Sequence, residues 1–191
     1  MTRKTIILLL LVWALQPAAY ASKKDSTKVS LNHYSLAIGA GWVHYINTLE
    51  IGADMATINS AGLSLKFFWE PEHRLSLGLE SGFYRLYAVK GEPGGKVTMS
   101  AVPLLLNVRM RIVEHFHLSA GAGLALMFNN ITGGEEKISS TILSLSNYQF
   151  SASYIYPLDH RWNVGGEFKF INFGKTADWL YTLQVVCAVK L

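Results

Sequence analysis

The sequence predicts an all-β protein: an eight-stranded antiparallel transmembrane β-barrel, built as an up-and-down meander, that follows a cleaved signal peptide. Three observations support this prediction. The N-terminal segment has the layout of an export signal. From residue 31 onward, apolar and small or polar side chains alternate with a period of two. The segments between the alternating stretches are short and long in turn, as in an outer-membrane barrel.

The N-terminal segment has the three parts of a signal peptide. Arg3 and Lys4 are basic, residues 6–15 are apolar, and Ala19-Tyr20-Ala21 fits the small-x-small cleavage pattern. Ten apolar residues make a helix of about 15 Å, too short for the ~30 Å hydrocarbon core of a bilayer. The alternative is an uncleaved N-terminal anchor. We therefore divide the chain into a signal peptide (1–21), a short polar segment (22–30) and a barrel domain (31–191).

Each predicted strand has one large apolar face and one face of small or polar residues. In the second strand, Leu63, Leu65 and Phe67 lie on one face, and Ser64 and Lys66 lie on the other. The first seven strands are predicted at about 32–45, 59–69, from 75 onward, 98–112, 116–128, 148–156 and 162–170, and the last at 181–191.

The connections between these strands differ in length from one end of the barrel to the other. Short acidic turns are predicted at 70–73, 113–115 and 157–160, and longer loops at about 46–58, 89–97, 129–147 and 172–179. Short turns face the periplasm in outer-membrane barrels. Both ends of the mature chain then lie on the periplasmic side.

The size of the two faces favours a membrane barrel over a soluble one. Eight strands leave an interior just wide enough for side chains, so small residues fit inside and the large apolar face points to lipid. A soluble barrel with the apolar face inward is the alternative. Aromatic residues near strand ends are predicted to form interfacial girdles. They are Trp42, Trp69, Tyr87, Tyr156, Trp162, Trp179 and Tyr181.

Composition limits the partners. The chain has 191 residues, 16% charged residues and a net charge of +4, which falls to +2 without Arg3 and Lys4. No basic stripe is present, so nucleic acid is not expected as a partner. The single cysteine, Cys187, cannot form an internal disulfide or a thiolate metal site. Outer-membrane lipid and the barrel-assembly machinery are the expected partners, with an extracellular ligand on loops 129–147 and 46–58.

Charged residues on the small-residue face form the first candidate site. Six of them are expected to share the lumen, where an unpaired charge is costly. They either fill the barrel as a static polar core or form a salt-bridged plug that opens as a small pore. The six residues are Lys66, Glu80, Arg109, Arg111, Glu167 and Lys169.

Two further arrangements contain residue types that can carry chemistry. His117-Leu118-Ser119 resembles the His-x-Ser element of outer-membrane lipid A deacylases, but Ala120 replaces the Asn that follows Ser in those enzymes. Four histidines lie near the short turns, and none has zinc-site spacing. We therefore predict no catalytic residues, no metal and no cofactor. The histidines are His73, His115, His117 and His160.

Two adjacent segments resemble a known group of membrane proteins. VTMSAVPLLLNVR at 97–109 and HLSAGAG at 117–123 resemble the small porin-like outer membrane protein beta-barrel domain family of Gram-negative bacteria. The final LQVVCAVKL at 183–191 resembles a barrel-assembly signal, which usually ends in Phe rather than Leu191. The resemblance implies an outer-membrane barrel and no shared activity.

The function predicted from these features is non-enzymatic. We expect an envelope-structural or surface-interaction role. The alternative is a narrow porin, or a carrier of small and in particular apolar molecules. A lipid-modifying outer-membrane enzyme is the third hypothesis.

Overall fold

The computed structural model describes residues 33–46, 56–71, 74–91, 95–133 and 136–191. The predicted signal peptide (1–21) and polar segment (22–30) lie outside these residues. No helix in the described ranges is long and apolar enough to cross a membrane.

The described chain folds into antiparallel strands that close on themselves. Consecutive strands of the wall pair with each other, and the first strand also pairs with the last, so the described sheet has no open side along the barrel. Only Ile58 separates β2 from β3, so the two make one wall strand. The predicted eight-stranded barrel is thus confirmed. The strands are β1 (His33–Ile46), β2 (Ala56–Thr57), β3 (Asn59–Glu70), β4 (Leu75–Lys90), β5 (Lys96–Arg111), β6 (Phe116–Gly133), β7 (Glu136–Pro157), β8 (Trp162–Phe173) and β9 (Asp178–Lys190).

The predicted alternation of faces holds along the wall. In β3, Leu63 and Leu65 are 56% and 49% exposed on the outside, whereas Ser64 and Lys66 are 2% and 5% exposed inside. Cys187 lies on the exposed outer face of β9. Successive side chains of a strand point to opposite faces, so the sequence period sets which residues line the lumen.

Two of the predicted long loops are wrong. Most of 129–147 is strand, because β6 continues to Gly133 and β7 starts at Glu136. This segment is polar, but its Ile and Thr residues suit a strand that pairs with the end of β6. Of 172–179, only residues 174–177 form a turn.

The interior differs from the prediction in its upper half, the half nearest the long connections. The inward face was expected to be small and polar, but large apolar side chains fill this half. The predicted faces stopped short of the strand ends, and the same alternation carries large apolar residues inward there, such as Tyr84 and Leu86 in β4. This upper apolar cluster consists of Val43, Tyr45, Tyr84, Leu86, Met99, Ala101, Ala125, Met127, Ile171, Phe173 and Leu180.

Candidate functional site: the barrel lumen

Four charged side chains form the central layer of the lumen. Lys66 from β3 pairs with Glu167 from β8, and Lys169 from β8 pairs with Glu80 from β4. Lys169 Nζ also lies 3.4 Å from Glu167 Oε2. All four residues are buried, so the two cations and two carboxylates balance each other away from water.

Amide and hydroxyl groups complete the hydrogen bonding of the two carboxylates. Gln149 Nε2 donates to Glu80 Oε2 at 2.6 Å, and Asn107 Nδ2 donates to the same oxygen at 2.9 Å. Ser151 Oγ donates to Glu167 Oε1 at 2.9 Å. Buried charges are tolerated when they are both paired and hydrogen-bonded. The layer therefore has the features of a satisfied polar core.

Arg109 belongs to a second layer, nearer the short turns. Its Nη2 atom lies 2.6 Å from Glu70 Oε1, and its guanidinium carbon lies 4.0 Å from the centre of the Phe68 ring. Ser35 Oγ donates to the same Glu70 oxygen at 3.0 Å. Glu70 is predicted in the turn 70–73, but it is the last residue of β3, so this prediction is wrong. Its even spacing from Lys66 and Phe68 was the signal that could have found it.

Arg111 lies at the mouth of the lumen, apart from both ion-paired layers. It borders a cavity of about 280 Å³ at the short-turn end. Arg74, His117 and Lys190 also border this cavity. The six predicted lumen charges are therefore distributed over a central quartet, one Arg–Glu pair and one residue at the mouth.

The opposite end of the lumen is closed by side chains. The upper apolar cluster lies on the long-connection side of the central layer. Tyr84 belongs to this cluster and also contacts the central layer, since Lys169 Nζ lies 3.3 Å from its hydroxyl oxygen. Tyr45 donates a hydrogen bond to Asp178 within the same end. The described lumen is thus filled by an apolar layer above an ion-paired layer.

The predicted girdle aromatics fall near both ends of the wall. Trp69, Tyr156 and Trp162 are exposed near the short turns, and Trp42 is exposed in the other half. Trp179 stacks on Phe170 with ring centroids 4.4 Å apart, and the Tyr181 ring packs against Phe170 in a tilted arrangement at 4.9 Å. Tyr87 packs against the upper apolar cluster, with its ring 5.7 Å from that of Tyr45. Their role as membrane girdles stays a prediction.

The His-x-Ser pair forms no nucleophile–base contact in this geometry. Ser119 Oγ shares a hydrogen bond with Ser151 Oγ at 2.6 Å, and His117 Nδ1 has no hydrogen-bond partner. A serine nucleophile needs the base within hydrogen-bond reach. The arrangement therefore gives no support to the lipid-modifying reading.

The described histidines near the short turns do not form a metal site. His115 packs edge-on against Tyr154 and Tyr156, with ring centroids 5.8 and 5.3 Å apart. His160 is exposed, and His73 lies outside the described residues. Within the ranges that the structure covers, no group of three or more His, Cys, Asp or Glu residues could hold a metal ion.

Comparison with solved structures identifies the architecture. Ail, the attachment invasion locus protein of Yersinia pestis, aligns with a TM-score of 0.56 at 13% identity, over 84% of this chain and 99% of that one. The fold is that of an eight-stranded outer-membrane barrel. Neisserial surface protein A aligns with a TM-score of 0.54 at 12% identity, over 83% of this chain and 97% of that one. A major outer membrane protein from Thermus thermophilus gives 0.55 at 15% identity, over 84% and 99%.

No protein-family model and no curated protein sequence matches the chain. The structural likeness therefore concerns the fold, and the small porin-like family stays a prediction.

Proposed function

We propose that the protein is an outer-membrane barrel with a surface-interaction role, and that its recognition element is the extended β6–β7 hairpin. The observation that carries this proposal is the unequal length of the strands. Pairing between β7 and β8 ends at Asn147 and Phe173, but pairing between β6 and β7 continues to Gly133 and Glu136.

The outer wall supports a location in the membrane. Ile38, Leu106 and Val185 are 56%, 70% and 67% exposed, and each lies on the outward face of its strand. A wall of this kind is costly in water and stable in lipid. Closure of the sheet also satisfies the backbone hydrogen bonds that a bilayer cannot satisfy.

The hairpin offers an edge for a partner strand. Residues 136–143 span about 26 Å and pair only with β6 among the described strands. Their exposed side chains include Ile138, Ser139 and Ser140. An open edge of this kind binds extended peptide segments by strand addition. The proposed ligand is thus an extended polypeptide at the cell surface, in line with the attachment role that the name of Ail states for that protein.

Shortening the hairpin tests this role. Phe128 and Thr141 are direct cross-strand partners, so a two-residue Asn-Gly turn can join them in place of 129–140. We expect bacteria that display this variant to lose attachment to surfaces coated with an unfolded, extended polypeptide. The barrel should remain folded, as judged by a gel-mobility shift on boiling.

The matched control is His160→Ala, an exposed change at the opposite end of the barrel. It should attach like the unmodified protein. Equal attachment by the shortened and unmodified proteins would contradict the proposed role of the hairpin.

The two filled layers argue against the porin alternative. We expect Glu80→Ala to leave conductance in planar bilayers at the level of the unmodified protein, because Tyr84, Leu86 and Met127 still close the lumen above it. Arg109→Ala should give the same result. Stable open channels in either variant would revive the salt-bridged plug, and with it the pore function.

A further inference from the structure

The cavity at the short-turn end has an excess of positive charge. Among the residues that the structure describes, four cationic side chains border it, those of Arg74, Arg109, Arg111 and Lys190, and two carboxylates do, those of Glu70 and Glu114. One of the two carboxylates, Glu70, is already engaged by Arg109. Arg111 and Lys190 have no ion-pair partner in the described part of the chain. The cavity therefore has cationic groups available for an anion.

Two buried polar atoms at this cavity have no hydrogen-bond partner. They are Arg109 Nε and His117 Nδ1. Arg111 and His117 are direct cross-strand partners on β5 and β6, and Arg109 is the diagonal neighbour of His117. Diagonal neighbours lie about 7–8 Å apart, within reach of long side chains. Arg109 Nε is always a donor, and His117 Nδ1 is a donor in the ring tautomer that protonates it. Because an unsatisfied buried donor is costly, these two atoms beside the cavity indicate an absent acceptor.

We infer that this cavity binds a phosphate-type oxyanion. The cationic groups come from several walls: Arg109 and Arg111 from β5, Lys190 from β9, and Arg74 from the turn before β4. A tetrahedral oxyanion presents oxygens in several directions, whereas a carboxylate presents two in one plane. Arginine and lysine are the side chains that recognise phosphate in proteins. A volume of about 280 Å³ has room for a phosphate group with its attached water.

The phosphate can come from two sources. In the proposed orientation the cavity faces the periplasm, next to the inner leaflet of the outer membrane. The phosphate group of an anionic lipid headgroup and a free phosphate in the periplasm have the same binding chemistry. The two sources are separated by the composition of the membrane around the protein.

Titration with inorganic phosphate tests the inference. The full mature protein, folded in detergent, is titrated calorimetrically with phosphate against chloride at equal ionic strength. We expect saturable binding, weakened tenfold or more in Arg111→Gln, since a charged hydrogen bond is lost. Arg85→Gln is the matched control, because Arg85 is exposed on the outer face of β4, away from the cavity. It should bind like the unmodified protein.

The His117 ring gives a second readout that does not depend on a variant. Phosphate, but not chloride, should shift the ¹⁵N resonance of His117 Nδ1. Absence of saturable binding, or equal binding by Arg111→Gln and Arg85→Gln, would overturn the inference.

Nanodiscs then distinguish the two sources. If phosphatidic acid weakens phosphate binding relative to phosphatidylcholine alone, the lipid headgroup occupies the site. If the lipid makes no difference, the ligand is free phosphate. Weakened and unchanged phosphate binding are both informative only because the cavity binds phosphate, which the titration tests first.

Discussion

Replacing Lys169 by methionine will lower the free energy of unfolding by about 3–5 kcal/mol, the cost of breaking a buried ion pair by removing one partner. Lys169 is fully buried and contacts both Glu80 and Glu167. Its removal leaves one excess negative charge in the lumen, where water cannot solvate it. Urea unfolding in lipid vesicles, followed by tryptophan fluorescence, measures the change.

The control for this variant is Lys175→Met, because Lys175 is exposed in the turn between β8 and β9. Its effect should stay within about 0.5 kcal/mol. The double variant Lys169→Met/Glu80→Gln restores the charge balance and should recover much of the lost stability. If Lys169→Met is no less stable than Lys175→Met, the central layer does not carry the ion pairs described.

Substitution of Gly165 by alanine is the second large effect expected. A Cβ atom at Gly165 would lie 2.0 Å from the carbonyl oxygen of Tyr154 and 2.8 Å from Cα of Ile155, both in the adjacent strand β7. These are backbone atoms, so the two strands themselves must separate. We expect the free energy of unfolding to fall by about 1–3 kcal/mol or more, the range for overpacking. Folding into lipid should also be slower.

The next residue provides the matched control. A Cβ atom at Gly166 would meet nothing within 4 Å, so Gly166→Ala makes the same chemical change without a clash. It should be neutral or slightly stabilising, because alanine restricts the unfolded chain. Equal effects at the two positions would show that the close approach of β7 and β8 at Gly165 is not as described.

The wall of the barrel was predictable from the sequence because the direction of the side chains in a strand repeats every two residues. The alternation of Leu63 and Leu65 with Ser64 and Lys66 determines which side of β3 faces outward. In a closed sheet, the facing of one strand also fixes which residues of its paired neighbours face outward. The period also placed Lys66, Glu80, Glu167 and Lys169 on the inward face. The period does not predict which lysine pairs with which glutamate, because ion pairs across the lumen depend on the stagger between strands rather than on the spacing within a strand.

The strand ends were harder to predict than the wall. The acidic stretch 70–73 suggests a turn, but Glu70 still belongs to β3, so its pairing with Arg109 is not apparent from the sequence. Tyr84 and Leu86 point inward beyond the small residues of β4, so the upper apolar cluster had no counterpart in the predicted faces. A polar composition suggested a loop at 129–147, where continued pairing with β6 instead maintains a strand.

We propose a barrel that crosses the outer membrane with the β6–β7 hairpin outside. Cysteine labelling in intact cells tests it directly, with Cys187→Ala as background and a membrane-impermeant maleimide as reagent. We expect Ser140→Cys on the hairpin to be labelled in intact cells, and His160→Cys on the opposite end only after the outer membrane is permeabilised. Labelling of His160→Cys in intact cells, or protection of Ser140→Cys, would contradict the account.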